Sequence, residues 1–280
     1  MAVKIIIDST CDVDKNVEDK FIKVPLHVTF GEEDFIDTVD ITKDEFYEKL
    51  ESSDELPKTS HPSPQAFIDE YQKVVNNGDK AVVICLTSGF SGTYEVALMA
   101  SEEFKDKIFV VDSLQSCTGG GVIAEYALRL SEEGKSAKEI FEILEKEKFR
   151  VSTMAVVDTL KYLEKGGRLS KASALVGNLL SVKIILAMKD GIVVAIGKAK
   201  GTKNANNLFL HEIEKTGEID FSMPIIFGYT GKDSEKIQKY FREVKKFCEK
   251  EVPNPPLVQI DSVIGTHTGP GSLYVAFFNK

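Results

Sequence analysis

The sequence predicts an α/β protein of two domains, an N-terminal parallel-sheet domain and a C-terminal mixed-sheet domain. In the first half, short apolar runs alternate with segments of helical periodicity, which indicates a parallel sheet covered by helices. In the second half, an Asp-Gly pair between two apolar runs predicts a β-hairpin, so that sheet is mixed. A chain of 280 residues is also long enough for about two domains. We expect the boundary near residue 150, with domains at 1–150 and 151–280.

The strands of the first domain are predicted from its short apolar runs, at residues 3–7, 22–28, 81–86 and 108–111. Three of these runs end in polar or glycine-rich loops, with the sequences DSTCD, TSGFSG and DSLQSCTGGG. Ligands of open α/β sheets gather beyond the carboxyl ends of the strands. These loops are therefore the first place where we expect a binding site.

The helix starts of the first domain are marked by side chains that cap the backbone. Capping boxes pair Thr42 with Glu45 and Ser136 with Glu139, and Ser63 precedes Pro64 as an N-cap. TSHP is then a loop leading into one helix, and TSGFSG leads into another that starts near Thr93. Because N–H groups at a helix start attract anions, the two hydroxyl-rich loops predict one shared anion site.

The second domain is predicted from similar signals. We expect strands at 151–157, 224–227, 257–260 and 272–278, helices at 171–180, 204–215 and 234–247, and a hairpin around KDG. Asp158 is expected to cap a short helix that ends at residue 165. The stretch IGTHTGPG is expected to hold His267 in a glycine-rich loop between two strands, where it is either functional or simply solvated.

Charge and composition exclude several classes of protein. With 35 basic and 44 acidic residues the net charge is -9, and no basic run interleaved with aromatics offers nucleic acid a track. No stretch approaches the roughly 20 apolar residues of a membrane span, and no signal peptide is recognisable, so we expect a cytoplasmic protein without an integral membrane segment. Cys11, Cys85, Cys117 and Cys248 are scattered singly, which favours reduced, structural thiols. No cofactor or metal motif is present in the sequence.

Two residues resemble catalytic nucleophiles without completing the motif. Asp8 follows a strand as in phosphotransferases of the haloacid-dehalogenase type, but Thr10 stands where a second aspartate is needed. Ser91 lies in a stretch resembling a nucleophile elbow, but Thr93 occupies the place of the required glycine. We favour Asp8 as a residue that orders its loop and Ser91 as a hydrogen-bond donor. A small-molecule hydrolase or phosphotransferase that uses Asp8 or Ser91 remains the alternative.

Six motifs follow one another along nearly the whole chain: DSTCD, KTSHPSP, TSGFSGTY, VVDSLQS, YLEKGGRLS and IGTHTGPGSLYVAFF. In this order they resemble the DegV family of bacterial fatty-acid-binding proteins. The resemblance implies two α/β domains with a long-chain fatty acid, such as a C16 to C18 acid, held between them. It implies that the head group lies at Thr59, Ser60, Ser91, Gly92 and His267.

The resemblance also implies a role for the bound acid. The protein would be the non-catalytic, acid-binding subunit of a bacterial fatty-acid kinase, presenting the carboxylate to a separate ATP-binding subunit that makes the acyl phosphate. The bound fatty acid would be the ligand, and no cofactor is implied. Burial of the tail stabilises the complex by about 0.8 kcal/mol per methylene, so an enclosed apolar tunnel is expected. Two interpretations remain open for Phe90, Met154 and residues 174–180. They either form the walls of this tunnel or belong to the ordinary hydrophobic core.

One segment departs from the family. GKAKGTKNA follows the hairpin strand with Lys200 and Lys203, where relatives commonly carry arginine, and lysine lacks arginine's planar fork of donors. Arg168, in GGRLS, is a third cation near the expected mouth of the site. We expect these three residues either to form a docking surface for the kinase subunit or to be scattered solvated side chains.

Overall fold

The protein is described by a computed structural model over residues 2–169 and 182–280. In chain order the strands are β1 (Val3–Asp8), β2 (Ile22–Val24), β3 (His27–Phe30), β4 (Glu33–Ile36), β5 (Lys58–Ser60), β6 (Lys80–Cys85), β7 (Ile108–Asp112), β8 (Val151–Val157), β9 (Val182–Lys189), β10 (Ile192–Lys200), β11 (Ile226–Tyr229), β12 (Leu257–Gln259) and β13 (Leu273–Phe278). The α-helices are α1 (Lys43–Ser52), α2 (Pro64–Asn76), α3 (Thr93–Ser101), α4 (Cys117–Glu132), α5 (Ala137–Glu147), α6 (Lys161–Lys165), α7 (Thr202–Glu214), α8 (Glu235–Val244) and α9 (Ser262–Thr268).

The predicted parallel sheet of the N-terminal half is confirmed. Its strands lie in the order β2-β1-β6-β7, and every neighbouring pair is parallel. Alternate residues of β1 enter two different cores: Ile6 packs with Phe67 of α2, whereas Ile5 and Ile7 pack with Val122 of α4. Helices therefore cover both faces, which is why the strands are continuous apolar runs.

The strand predicted at 22–28 was wrong as a single element. It is interrupted at Pro25 and Leu26, and β3 then belongs to a separate antiparallel sheet in the order β4-β3-β5. Proline has no N–H to donate, so it marks the point where the chain leaves the parallel sheet. The same sheet contains Thr59 and Ser60 in β5, so this part of KTSHPSP is a strand and not a loop.

The predicted mixed sheet of the C-terminal half is also confirmed. Its order is β10-β9-β8-β13-β11-β12, with β11 and β12 parallel and the other neighbours antiparallel. The hairpin turns at Asp190 and Gly191, whose φ angles of 50° and 77° are those of a type I′ turn. In chain order, the first residue of this sheet is Val151. The domain boundary near residue 150 remains a prediction, and this position is consistent with it.

The predicted N-caps of three helices are present. Thr42 and Ser136 each form a capping box, and the Ser63 hydroxyl accepts a hydrogen bond from the Ala66 amide. Asp158, in contrast, does not cap α6. The short helix begins at Lys161, and the Asp158 carboxylate is paired with Lys183 and Lys236.

Two predicted glycine-rich loops are helical. CTGGG is the first turn and a half of α4, and its glycines allow close packing: a Cβ on Gly121 would lie 2.0 Å from the Asp12 carbonyl oxygen. His267 lies in α9, whose N-cap is the Asp261 carboxylate, an acceptor for the Ile264 amide at 2.9 Å. The predicted helix at 171–180 lies outside the described residues.

The four cysteines are free and buried, as predicted for structural thiols. Within residues 2–169 and 182–280, no helix combines the length and the apolar character needed to cross a membrane.

Candidate functional site

A cavity of about 510 Å³ lies where the N-terminal half meets the mixed sheet. Its walls come from β5, the loop after β6, the start of α4, strands β8 and β9, and α9. The cavity is therefore built from segments on both sides of the predicted domain boundary.

One part of the cavity wall is polar. The residues predicted for the head group all line it, together with one of the predicted docking residues: Thr59, Ser60, Ser91, Gly92, His267 and Arg168. The rest of the wall is largely apolar, from side chains that include Phe90, Met154, Leu163, Leu186, Met188 and Val193. For Phe90 and Met154 the sequence left open a place in the wall or in the ordinary core, and both line the cavity. Residues 174–180 lie outside the described part of the chain.

Thr59 and His267 are joined directly. Oγ1 of Thr59 lies 2.9 Å from Nε2 of His267, so a strand of the small antiparallel sheet is connected to α9. The start of α9 is held against the same half of the molecule, because the Ser262 hydroxyl donates to the Asp37 carboxylate. The position of the imidazole is thus fixed at both ends of its helix.

His267 is neutral in the free protein at pH 7. Burial lowers its pKa to about 4, and the positive charge of Arg168 acts in the same direction. Nδ1 of this ring is buried and has no hydrogen-bond partner in the described residues. The imidazole therefore offers hydrogen bonds without carrying a charge.

Ser91 and Gly92 lie at the start of α3. Oγ of Ser91 is 2.9 Å from Oγ1 of Thr93 and accepts a bond from the Thr93 amide at 3.3 Å. Gly92 is the N-cap and supplies no side-chain acceptor, so the first N–H groups of this nine-residue helix have no capping side chain from it. The hydroxyls of Ser91 and Thr93 thus lie at the N-terminal end of a helix, which is the chemistry of an anion site.

Arg168 lies in the cavity, whereas the two lysines do not line it. The guanidinium donates through Nη1 to the Gly166 carbonyl at 2.7 Å and through Nε to the Phe90 carbonyl at 3.3 Å. Lys200 ends β10, where it pairs with Val182, and Lys203 is exposed in the first turn of α7.

His61 also lines the cavity, although it was not among the residues predicted for the site. Its ring is next to Gly92, since a Cβ there would lie 3.5 Å from His61 Cδ2. The sequence did offer a signal, because this histidine is the third residue of the TSHP motif.

Asp8 is fully buried and does not line the cavity. Its Oδ1 accepts from the Thr10 amide at 2.9 Å and the Thr10 hydroxyl at 2.6 Å, and its Oδ2 accepts from the Leu86 amide at 2.6 Å. Burial raises its pKa to about 6. Both oxygens are thus used to join two loops, which supports the structural role over the nucleophilic one.

Ser91 also lacks the partner that a nucleophile needs. Among the described residues its hydroxyl is bonded to Thr93 and to no imidazole. Nε2 of His267 is bonded to Thr59, and Nδ1 of His61 lies 2.9 Å from the Pro62 carbonyl oxygen. A serine hydroxyl is a weak nucleophile unless an adjacent base removes its proton. This arrangement favours binding over catalysis.

Comparison with known proteins gives one family. Residues 2–280 match the family model described as "Uncharacterised protein, DegV family". A DegV domain-containing protein of Clostridium acetobutylicum is 34% identical over 292 residues, which are 100% of this chain and 99% of the relative.

Solved structures agree. A DegV family protein from Thermus thermophilus, described by its fatty acid binding, is 28% identical with a TM-score of 0.87, covering 99% of this chain and 100% of that one. A stearic-acid-binding protein from Eubacterium ventriosum is 30% identical with a TM-score of 0.86, covering 100% of this chain and 99% of that one. The full-length family match and these relatives show that this chain belongs to the DegV family.

Proposed function

We propose that this protein binds one long-chain fatty acid in the cavity and presents its carboxylate to a separate ATP-binding kinase subunit. The observation that carries the proposal is a cavity with a polar region of hydroxyls, amides and imidazole and an otherwise largely apolar wall. The Thermus thermophilus and Eubacterium ventriosum relatives, described as fatty-acid-binding and stearic-acid-binding, support the same ligand class.

The carboxylate would be held mostly by neutral donors. The hydroxyls of Thr59 and Ser91 and the first amides of α3 can each donate to an oxygen, and a charge-assisted bond contributes roughly 1.5–3 kcal/mol. Ser60, Gly92 and His267 complete this group. Arg168, on the same cavity wall, supplies the positive charge that a buried anion needs nearby.

The tail would contribute more than the head group. Each methylene that leaves water stabilises the complex by about 0.8 kcal/mol, so a chain of sixteen carbons or so can exceed two or three hydrogen bonds several-fold. This gain requires contact with apolar side chains, and those that line the cavity include Leu163 of α6 and Leu186 of β9.

Presentation to a kinase is the finer part of the proposal. One carboxylate oxygen would attack the γ-phosphorus of ATP, the bond to the bridging oxygen would break, and ADP would leave. The chemistry belongs to the ATP-binding subunit, so this chain needs no base of its own. We further propose a cytoplasmic location, since ATP is the phosphate donor.

The binding step is tested by lipid analysis of the purified protein. Organic extraction and gas chromatography should yield about one equivalent of a C16 to C18 acid, and delipidated protein should take up the same amount. A preparation that neither carries nor takes up such an acid would contradict the proposal. The hydrolase alternative would instead be favoured by turnover of an ester that Ser91→Ala abolishes.

The presenting step has a separate test. Loaded protein is mixed with ATP and an ATP-binding subunit of a fatty-acid kinase, and acyl phosphate is trapped with hydroxylamine as the hydroxamate. Binding without hydroxamate would leave the protein as a fatty-acid carrier and remove its kinase role.

A further inference from the structure

The polar part of the cavity contains an imidazole that the proposed function does not use. His61 follows β5 and lines the cavity at a solvent-exposed position. Its Nδ1 lies 2.9 Å from the Pro62 carbonyl oxygen. A carbonyl oxygen can only accept, so Nδ1 carries the hydrogen and donates it. In the neutral ring Nε2 is then an acceptor with a lone pair, and it carries a hydrogen only when the ring is charged.

His61 lies beside the loop that leads into α3. A Cβ on Gly92 would lie 3.5 Å from Cδ2 and 3.8 Å from Nε2 of this ring, so the Cδ2–Nε2 edge faces the helix start. On the same loop, Nε of Arg168 donates to the Phe90 carbonyl at 3.3 Å. The loop that contains Ser91 therefore has a permanent cation beside Phe90 and an imidazole beside Gly92.

A carboxylate bound at this helix start cannot pair with the neutral form of the ring. Both carboxylate oxygens accept hydrogen bonds and neither donates, and the lone pair on Nε2 also accepts. The two groups repel each other unless the ring gains a proton, after which Nε2 donates a charge-assisted bond to the anion. In this step one proton passes from the solvent to Nε2, and no bond between heavy atoms forms or breaks.

The other titratable side chains of the cavity keep one charge state between pH 6 and pH 9. Besides His61, those that line the described part of the cavity are Cys117, Arg168, His267 and Tyr274. Burial raises the pKa of the Cys117 thiol to about 12 and that of the Tyr274 hydroxyl well above its usual value, and it lowers the pKa of His267 to about 4. Arg168 stays charged throughout. An imidazole is the side chain whose charge ordinarily changes in this range, which leaves His61 as the group through which pH acts on the cavity.

The charged side chains on the elements around His61 are exposed or already bonded. Lys58 of β5, Asp69 of α2 and Glu95 of α3 are exposed to solvent, where salt screens them. Asp112 of β7 accepts hydrogen bonds from the loop after β6. No carboxylate side chain lines the cavity within the described residues. The bound acid would therefore bring a carboxylate into the cavity where the protein itself supplies none.

From this geometry we propose that His61 binds the fatty-acid carboxylate as an imidazolium and takes up one proton when the acid binds, so that the affinity falls as the pH rises. The inference rests on the proposed fatty-acid binding and adds to it a head-group residue whose charge depends on pH. The sign follows from the proton balance, because a complex that holds one proton more than the free protein is favoured at low pH and weakened at high pH.

The first measurement compares delipidated parent and His61→Gln between pH 6 and pH 9. Dissociation constants are obtained for stearic acid delivered from methyl-β-cyclodextrin. Glutamine does not titrate, and any titration of the ligand or its carrier is common to both proteins, so it cancels in the ratio of the two constants. The parent should bind about tenfold more tightly than the variant at pH 6, as expected for one opposite charge nearby, and this advantage should be lost by pH 9.

The second measurement determines proton uptake by calorimetry in buffers with different heats of ionisation. At pH 7.5 the parent should take up more protons per bound acid than His61→Gln, a difference that a merely structural role of the histidine would not produce. His211→Gln, the same substitution at an exposed position of α7 outside the cavity, is the matched control and should behave as the parent does.

The outcomes separate the two proposals. A ratio of dissociation constants that stays constant from pH 6 to pH 9 overturns the role of His61, and so does equal proton uptake by the parent and His61→Gln. In both cases stearic acid still binds, so the proposed function stands. Failure of the parent to bind stearic acid at any pH contradicts the fatty-acid proposal itself and the role of His61 with it.

Discussion

Nε2 of His267 lies 2.9 Å from Oγ1 of Thr59, a contact between residues 208 positions apart in the chain. The neutral imidazole can donate to the threonine oxygen, which leaves the threonine O–H free to point at a ligand. In this arrangement the contact orients the Thr59 hydroxyl as a hydrogen-bond donor. If Thr59 donates to a bound carboxylate, as proposed, the strength of that bond depends on how β5 and α9 are packed.

Removing the two predicted hydroxyl donors should weaken binding strongly. The double variant Thr59→Val and Ser91→Ala takes away two bonds to the carboxylate and leaves the apolar part of the cavity intact. We expect a loss of about 2–5 kcal/mol in the binding free energy of stearic acid, measured by titration calorimetry on delipidated protein.

The matched control is Thr29→Val with Ser52→Ala, the same two substitutions at positions that do not line the cavity. It should bind stearic acid as the parent does. Equal affinity of the cavity double variant and this control would place the head group elsewhere.

The buried, neutral His267 should make the ligand-free protein less stable in mild acid than at pH 7. Its pKa is about 4 in the folded protein against a usual 6.5, so the unfolded chain binds the extra proton first. Its contribution to stability is therefore present above pH 6.5 and is lost as the pH falls toward 4. Between pH 7 and 5 the loss should be about 2 kcal/mol.

The measurement uses the difference between two proteins, because other groups titrate in this range. Urea unfolding of delipidated parent and His267→Gln is followed at pH 7 and pH 5. The glutamine side chain does not titrate, so the parent should lose about 2 kcal/mol more free energy of unfolding than the variant. The same loss in both would mean that the folded protein accommodates a charged His267.

Only those parts of the fold that have local sequence signals could be predicted. The parallel sheet and the hairpin follow from local signals, namely buried apolar runs and the Asp-Gly turn. The helix α9 does not, since its Gly265 suggests a loop. The glycine is there because a Cβ would lie 2.6 Å from the Tyr47 hydroxyl, a contact between distant parts of the chain that no local pattern reveals.

The candidate site was predictable only through motifs. Thr59 and His267 have no periodic or charge signal that joins them, and the resemblance of their motifs to a known family is what grouped them.

Asp8 should matter for stability and not for chemistry. In Asp8→Asn one carboxylate oxygen, a hydrogen-bond acceptor, is replaced by an NH₂ group, a donor. This NH₂ group would face a backbone N–H or a hydroxyl that now donates to the carboxylate. Leaving such donors unpaired in the core should lower the free energy of unfolding by about 2–4 kcal/mol. The folded variant should bind stearic acid with unchanged stoichiometry, measured at a temperature well below its melting transition. A variant of parental stability would show that these bonds do not hold the loops together.

The last prediction separates a docking role from a binding role among the three cations. Lys200 and Lys203 are exposed and do not line the cavity, so Lys200→Glu with Lys203→Glu should leave stearic acid affinity unchanged. If these lysines contact the kinase subunit, the same variant should form acyl phosphate several-fold more slowly, and the deficit should shrink as salt screens the charges. Arg168, in contrast, lines the cavity, so Arg168→Gln should weaken the binding of stearic acid in addition to slowing acyl-phosphate formation. Lys138→Glu with Lys146→Glu, at two exposed positions of α5 outside the cavity, is the control for the same change in net charge. Parental acyl-phosphate formation by the double lysine variant would remove these two residues from the docking surface.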